Sequence, residues 1–200
     1  TFSPSGLNLI VVQDSVAQLW DLTGSEMAAF KGHHSAINKA RFSPNGKCVI
    51  TSAKDGSVFL WDINGNIISK FTEHGDEVFD GVFSPDGKRI ATVSCGSSII
   101  IRDLESGHTI KAAGHEGCVD CVCFAPDGKS IATGGSDGRI IIHDLEGNEI
   151  RSFQAHNDRV NSVNFSPNGK NIISTSNDET AVLWDNIGQM LYTFKGYENK

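Results

Sequence analysis

The chain has 200 residues, which is enough to bury a sizeable core, and its composition of 38% hydrophobic and 20% charged residues is typical of a globular protein. The formal net charge of −7 argues against nucleic-acid binding, which normally requires a basic surface. No apolar run approaches the roughly 18–20 residues of a membrane span, and no signal-peptide pattern opens the chain. We therefore expect no membrane association and a cytoplasmic location.

Three sequence markers recur at a spacing of about 41 residues, the signature of a repeat protein. A Phe-Ser-Pro type motif begins at Phe2, Phe42, Phe83, Phe124 and Phe165. A Trp-Asp position recurs at Trp20, Trp61, Arg102, His143 and Trp184. A histidine recurs at His33, His74, His115 and His156, and its next register falls on Tyr197. These markers divide the chain into five repeats at approximately 1–31, 32–72, 73–113, 114–154 and 155–200.

Each repeat has the pattern of four short strands. In the fifth repeat, Val160 to Phe165 reads as a strand that ends at a Pro-Asn-Gly turn, with Gly169 in the left-handed position. Further strands are predicted from Asn171 to Ser176, from Thr180 to Trp184 and from Gln189 to Phe194. Four antiparallel strands within roughly 40–45 residues are typical of one blade of a β-propeller.

The second repeat carries a full set of recognisable motifs: Gly32-His33, Phe42-Ser43-Pro44-Asn45-Gly46, Thr51, Asp55 and Trp61-Asp62. On these motifs the sequence resembles the WD-repeat (WD40) family over essentially its whole length. The resemblance implies an all-β, WD40-type β-propeller with four complete four-stranded blades and one incomplete blade, since the first repeat lacks nearly all of its inner strand. Family propellers usually have seven blades and close by pairing their two chain ends. We therefore expect an open arc of a larger propeller that the rest of the parent chain completes.

The resemblance also implies a structural hydrogen-bond network of His, Ser/Thr, Asp and Trp in each blade. The complete sets are His33, Thr51, Asp55 and Trp61, and His156, Ser174, Asp178 and Trp184. The other repeats depart from it: Ile10 falls at the hydroxyl position of the first, Gly96 and Arg102 replace the Asp and Trp of the third, and His143 replaces the Trp of the fourth. Those blades should lose part of the network. Because a catalytic site needs only one copy, recurrence favours a structural role, and we expect no enzyme activity.

The five cysteines are Cys48, Cys95, Cys118, Cys121 and Cys123, and an odd count without a secretion signal favours reduced thiols. The Cys118-x-x-Cys121 spacing is similar to one arm of a zinc site, but there is no second arm, and residues three apart on a strand point to opposite faces. We expect no metal and no cofactor. Cys95 and Cys118 fall in neighbouring blades on the same face, so a disulfide or redox role is a further hypothesis.

In the WD-repeat family, two kinds of position line the mouth of the central channel and contact partners. They are the residues flanking the apolar start of each first strand and the residue before each turn Asp. The candidates here are Asn38, Lys54, Glu77, Phe79, Cys118, Asp120, Arg159 and Asn161. Phe79 is the best single candidate, because aromatic residues are enriched at interface hot spots. The expected function is a scaffold or sensor that binds a protein or peptide.

Two other interpretations stay open. A small-ligand or enzymatic propeller would place a site in the channel, and Glu77 and Asp120 are the only suggestive pair of carboxylates. The near-identical repeats also resemble those of bacterial multidomain WD-repeat proteins, in which propellers often act as sensors of a signalling NTPase. No Walker motif is present in these 200 residues.

Overall fold

The computed structural model describes residues 1–96 and 98–195, and this part of the chain forms five antiparallel β-sheets joined by turns. Tyr197, the last register of the recurring histidine, lies outside the described residues. Within the described part there is no helix that could cross a membrane.

The sheets follow one another along the chain. The first consists of β1 (Asn8–Gln13), β2 (Val16–Asp21) and β3 (Glu26–Lys31). The second consists of β4 (Ile37–Phe42), β5 (Cys48–Ala53), β6 (Val58–Asp62) and β7 (Ile67–Phe71). The third consists of β8 (Val78–Phe83), β9 (Arg89–Ser94), β10 (Ile99–Asp103) and β11 (Thr109–Ala112). The fourth consists of β12 (Val119–Phe124), β13 (Ser130–Gly135), β14 (Arg139–Asp144) and β15 (Glu149–Gln154). The fifth consists of β16 (Val160–Phe165), β17 (Asn171–Ser176), β18 (Thr180–Asp185) and β19 (Met190–Lys195).

The all-β prediction of four complete blades and one incomplete blade is confirmed. Each sheet is a meander in which strands adjacent in sequence pair with each other. The first sheet has three strands, and its inner strand is reduced to an isolated bridge between Phe2 and Leu9. In the fifth sheet, β16 and β17 have the predicted bounds, β18 is one residue longer than predicted, and β19 is shifted by one residue at both ends.

The Pro-Asn/Asp-Gly turns show why the sequence bends where it does. In the second sheet, Ser43 Oγ accepts from the backbone N–H of Cys48, and Asn45 Oδ1 accepts from that of Lys47. Gly46 has a φ of +69°, a left-handed conformation that side chains other than glycine rarely adopt. The side chain and backbone of each turn therefore specify its geometry without help from distant residues.

The apolar core lies between neighbouring sheets. Leu19 and Phe30 of the first sheet pack with Phe59 and Trp61 of the second, and Trp61 is fully buried. Clusters of the same kind join the second sheet to the third, the third to the fourth and the fourth to the fifth. Burial of apolar surface at these junctions holds each sheet to the next.

The inner strands β4, β8, β12 and β16 pack side by side in that order. Within the described residues the series does not return from β16 to the first sheet, so the ring is open, as predicted.

One predicted position in the first sheet is wrong. Ile10 pairs with Leu19, as Ile50 pairs with Leu60, and Val11 is the residue opposite Gln18 at the position equivalent to Thr51. Trp20 pairs with Leu9, 11 positions earlier, whereas Trp61 pairs with Val49, 12 positions earlier, so the register of β1 is shifted by one residue. An apolar side chain still occupies the hydroxyl position of this sheet.

Candidate functional site

The second sheet brings together all four of its predicted network residues. Thr51 Oγ1 lies 2.7 Å from His33 Nε2 and accepts a 2.9 Å hydrogen bond from Trp61 Nε1. On the other side of the ring, His33 Nδ1 lies 3.3 Å from the Asp55 carboxylate. Asp55 also accepts from the backbone N–H of His34 at 2.8 Å. The carboxylate therefore ties the turn between β5 and β6 to the segment that precedes β4.

The charges of this network favour a fixed arrangement. Burial lowers the pKa of His33, although the nearby Asp55 carboxylate works in the opposite direction. For Asp55, burial alone raises the pKa, but hydrogen bonds from Ser57 and from the backbone of His34 outweigh it and bring the pKa to about 2. At neutral pH a neutral imidazole thus lies beside an ionised carboxylate, which suits a structural role.

The fifth sheet repeats the arrangement. Ser174 Oγ lies 2.7 Å from His156 Nε2 and accepts from Trp184 Nε1 at 2.8 Å. Asp178 lies 2.9 Å from His156 Nδ1 and accepts from the backbone N–H of Asn157.

The third sheet retains only part of the network, as predicted. His74 Nε2 lies 2.8 Å from Thr92 Oγ1, but Gly96 supplies no carboxylate for the other ring nitrogen. That nitrogen keeps the hydroxyl contact that His33 makes with Ser57, here with Ser98 Oγ at 3.1 Å. Arg102, in the place of the Trp, stacks over the Phe71 ring at 4.5 Å and pairs with Glu73. The large side chain therefore has one partner on the second sheet, Phe71, and one in the connection that leads from it to the third sheet, Glu73.

The fourth sheet retains the His115 contacts to Asp137 and Thr133, both at 3.0 Å. His143, in the place of the Trp, is fully buried. Its Nε2 bonds to the carbonyl of Ala113 at 3.0 Å, whereas the Trp of other sheets bonds to the hydroxyl at the position of Thr133.

One backbone hydrogen bond recurs in four sheets, at the surface that carries the candidate partner-binding residues. The residue before each turn Asp, or before Gly96 in the third sheet, donates its N–H to the carbonyl of the residue before each first strand. The pairs are Lys54 to Ala36, Cys95 to Glu77, Ser136 to Cys118 and Asn177 to Arg159. We call these eight residues, together with Asn38, Phe79, Asp120 and Asn161, the rim.

Rim residues contact one another within and between sheets. Asn38 Nδ2 donates to Glu77 Oε1 and to the carbonyl of Val78, both at 3.0 Å, and so links the second sheet to the third. Asn161 donates to Asn177 Oδ1 within the fifth sheet. Lys54 is exposed.

Phe79, Asp120 and Arg159 come from three successive sheets and form one cluster. The Arg159 guanidinium lies 5.9 Å from the centre of the Phe79 ring, and its Nε lies 3.4 Å from Asp120 Oδ2. The Arg159 side chain is 40% exposed, whereas that of Asp120 is only 7% exposed. Burial raises the pKa of Asp120 to about 6, and Arg159 only partly offsets this. The cluster therefore presents an aromatic ring and a cation to solvent above a buried acid.

The expectation that all cysteines are reduced is wrong for two of them. Cys95 of the third sheet and Cys118 of the fourth form a disulfide. Cys48, Cys121 and Cys123 are free, and burial raises the pKa of Cys123 to about 12. The Cys118-x-x-Cys121 pair therefore does not offer two thiolates, and the described residues contain no cluster of three or more His, Cys, Asp or Glu side chains arranged for a metal.

The two carboxylates that suggested a channel site have different partners, Asn38 for Glu77 and Arg159 for Asp120. A separate cleft of about 500 Å³ lies between the fourth and fifth sheets on the side of the Pro-Asn/Asp-Gly turns. Its lining includes Pro126, Arg151 and Phe165.

Comparison with known families agrees with the repeat geometry. The model of the WD domain, G-beta repeat, matches residues 24–62, 65–103, 105–144 and 147–185. The chain belongs to the WD40 family. Each matched stretch takes in the last strand of one sheet and the first three of the next, so the unit of sequence bridges two blades. WD40 repeats are generally non-catalytic interaction scaffolds. No curated protein matches the chain.

Sequence reasoning missed one ion pair below the rim of the WD40 domain. Arg41 Nε and Nη2 donate to the two oxygens of Asp80 at 3.1 and 3.0 Å, and the Asp80 side chain is only 3% exposed. The sequence pattern gives little indication of this ion pair, because the two residues lie at different positions of their repeats and meet only when the second and third sheets pack.

Proposed function

We propose that the chain is a protein- or peptide-binding scaffold whose partner contacts the rim. The observation that carries the proposal is the cluster of Phe79, Asp120 and Arg159. Aromatic and arginine side chains are enriched at interface hot spots, and here both are held by neighbours before any partner arrives. Arg159 in particular is positioned by a ring on one side and a carboxylate on the other.

A peptide library selected for binding to the immobilised chain provides a test without a known partner. We expect selected peptides to lose at least about tenfold in affinity for Phe79→Ala, which corresponds to about 1.4 kcal/mol. The control variant is Leu22→Ala, which truncates a 59% exposed apolar residue in the turn between β2 and β3. Equal binding to wild type and Phe79→Ala, with loss in Leu22→Ala, would place the interaction on the opposite face.

We further propose that additional blades of the parent chain cover the outer face of the fifth sheet. Ile50, opposite Leu60, and Ile173, opposite Leu183, occupy equivalent positions in their sheets. Yet Ile50 is 1% exposed and Ile173 is 40% exposed. Phe30 and Phe194 are likewise equivalent, at 0% and 48%. The fifth sheet thus presents to solvent the face that other sheets bury against a neighbour.

The substitution Ile173→Ser distinguishes the two situations. In the natural full-length protein it should lower the free energy of unfolding by about 2–4 kcal/mol if a blade covers the face. In the 200-residue chain alone it should change stability by less than about 0.5 kcal/mol. A small effect in both proteins would argue that nothing packs there.

A cytoplasmic location and a role in signalling are also proposed. They rest on the sequence pattern and on the resemblance to multidomain proteins, and cell fractionation of the full-length protein tests the location.

A further inference from the structure

The Cys95–Cys118 disulfide joins two different loops of the rim, one from each of two neighbouring sheets. Cys95 follows β9 in the third sheet, and Cys118 precedes β12 in the fourth. The equivalent positions are Lys54 and Glu77 at the junction of the second and third sheets. Ser136 and Arg159 occupy them at the junction of the fourth and fifth. The sequence therefore provides a pair of thiols at a single junction of the rim.

This junction is also where the usual tether of the turn is missing. In the second, fourth and fifth sheets an Asp carboxylate accepts from the backbone N–H after the histidine and so holds the turn to the preceding segment. The bonds are His34 to Asp55, Glu116 to Asp137 and Asn157 to Asp178. In the third sheet Gly96 has no side chain to make this bond. The disulfide provides a link where the carboxylate is absent. It holds the turn after β9 to the segment before β12 in the fourth sheet, and not to the segment before β8 in its own sheet.

The pair is placed for exchange with small reagents. Cys95 and Cys118 are both half-buried at the rim, whereas Cys121 is buried and burial raises its pKa well above the usual value. Burial also raises the pKa of Cys48 and Cys123, which disfavours the reactive thiolate at these positions. Cys48 and Cys123 are half-buried as well, so what distinguishes the rim pair is that its two sulfurs lie close enough to join.

We propose that Cys95 and Cys118 form a redox-active dithiol site whose co-substrate is a low-molecular-weight disulfide such as glutathione disulfide. The Cys118 thiolate attacks one sulfur of glutathione disulfide and expels a glutathione thiolate; the Cys95 thiolate then attacks the Cys118 sulfur and expels the second. Two electrons pass from the protein dithiol to glutathione disulfide, and the two thiol protons end on the two glutathione molecules. Oxidation fastens the third-sheet turn to the fourth sheet, and reduction releases it.

The consequence falls on the rim. The Cys95 N–H donates to the carbonyl of Glu77, and the Cys118 carbonyl accepts from Ser136. The disulfide therefore connects the backbone positions that precede Phe79 and Asp120, and the redox state of the pair controls how firmly these two neighbours are held relative to each other.

Differential alkylation of the full chain in glutathione buffers tests the chemistry, and amide hydrogen exchange tests the consequence. In oxidised buffer Cys95 and Cys118 should resist alkylation, and in reduced buffer both should be modified. Reduction should also speed exchange in the turn between β9 and β10 at least about tenfold, while the equivalent turns between β5 and β6 and between β17 and β18 stay unchanged.

Variants separate the tether from general effects of the buffer. Cys95→Ser and Cys118→Ser should show the fast exchange of the reduced state in both buffers, and the control Cys48→Ser should respond like wild type. Free thiols at both positions in oxidised buffer would overturn the proposal, and so would exchange of the turn that is the same in both redox states. The wild-type comparison needs no variant to fold and no partner to bind, so its failure leaves the proposed scaffold function untouched.

Discussion

The hydroxyl of Thr51 is shared by two buried groups, and removing it should be among the more damaging small changes in the protein. Thr51→Val keeps the shape of the side chain but leaves His33 Nε2 and Trp61 Nε1 without their partner. The exposed fractions of Thr51 and Trp61 are both 0%, so water cannot replace the hydroxyl without opening the core. One orphaned buried group costs about 1–3 kcal/mol, so we expect the free energy of unfolding to fall by about 2–4 kcal/mol.

The third sheet offers a matched control. Thr92 has the same position, but among the described residues its hydroxyl bonds to His74 alone, because Arg102 stands where the indole would be. Thr92→Val should therefore cost about half as much as Thr51→Val. Urea unfolding of both variants measures the difference. Equal losses, or a loss below about 0.5 kcal/mol for Thr51→Val, would refute the view that one hydroxyl satisfies two buried partners.

Three further outcomes are expected. Because the folded state raises the pKa of Asp120 to about 6, its contribution to stability is present below pH 3.8 and is lost as the pH rises through 6. Asp120→Asn should therefore raise the melting temperature at pH 7 but not at pH 4, and an equal gain at both would contradict this. Gly134→Ala puts a methyl group 2.5 Å from Val160 Cγ1 and should cost about 1–3 kcal/mol in thermal unfolding, whereas Gly81→Ala, with a nearest contact of 3.3 Å, should cost less. His156→Ala should lower the melting temperature by breaking the fifth-sheet network, and an unchanged value would remove that role.

Much of the architecture is local and was therefore predictable. Strand ends are fixed by Pro-Asn/Asp-Gly turns such as the one around Gly46, whose own side-chain hydrogen bonds define the bend. The residues of the second-sheet network came from the resemblance to the WD-repeat family. Thr51 meets Trp61 because β5 and β6 are paired strands, whereas His33 reaches the hydroxyl from the segment before β4. The error at Ile10 came from register, because a one-residue shift in the pairing of β1 with β2 puts Val11 at the hydroxyl position.

By itself the sequence determined the number of blades and their strands, since these follow from a 41-residue period and from turn signals that recur in each repeat. Only the tertiary structure decided which side chains of neighbouring blades contact each other. The contact of Arg159 with Phe79 and the pairing of Arg41 with Asp80 cross sheet junctions. The disulfide between Cys95 and Cys118 crosses one too, and the sequence offered it only as a hypothesis. Residues about 40 or 80 positions apart, or in unlike positions of their repeats, carry no mark of contact in the sequence, because packing of whole sheets brings them together.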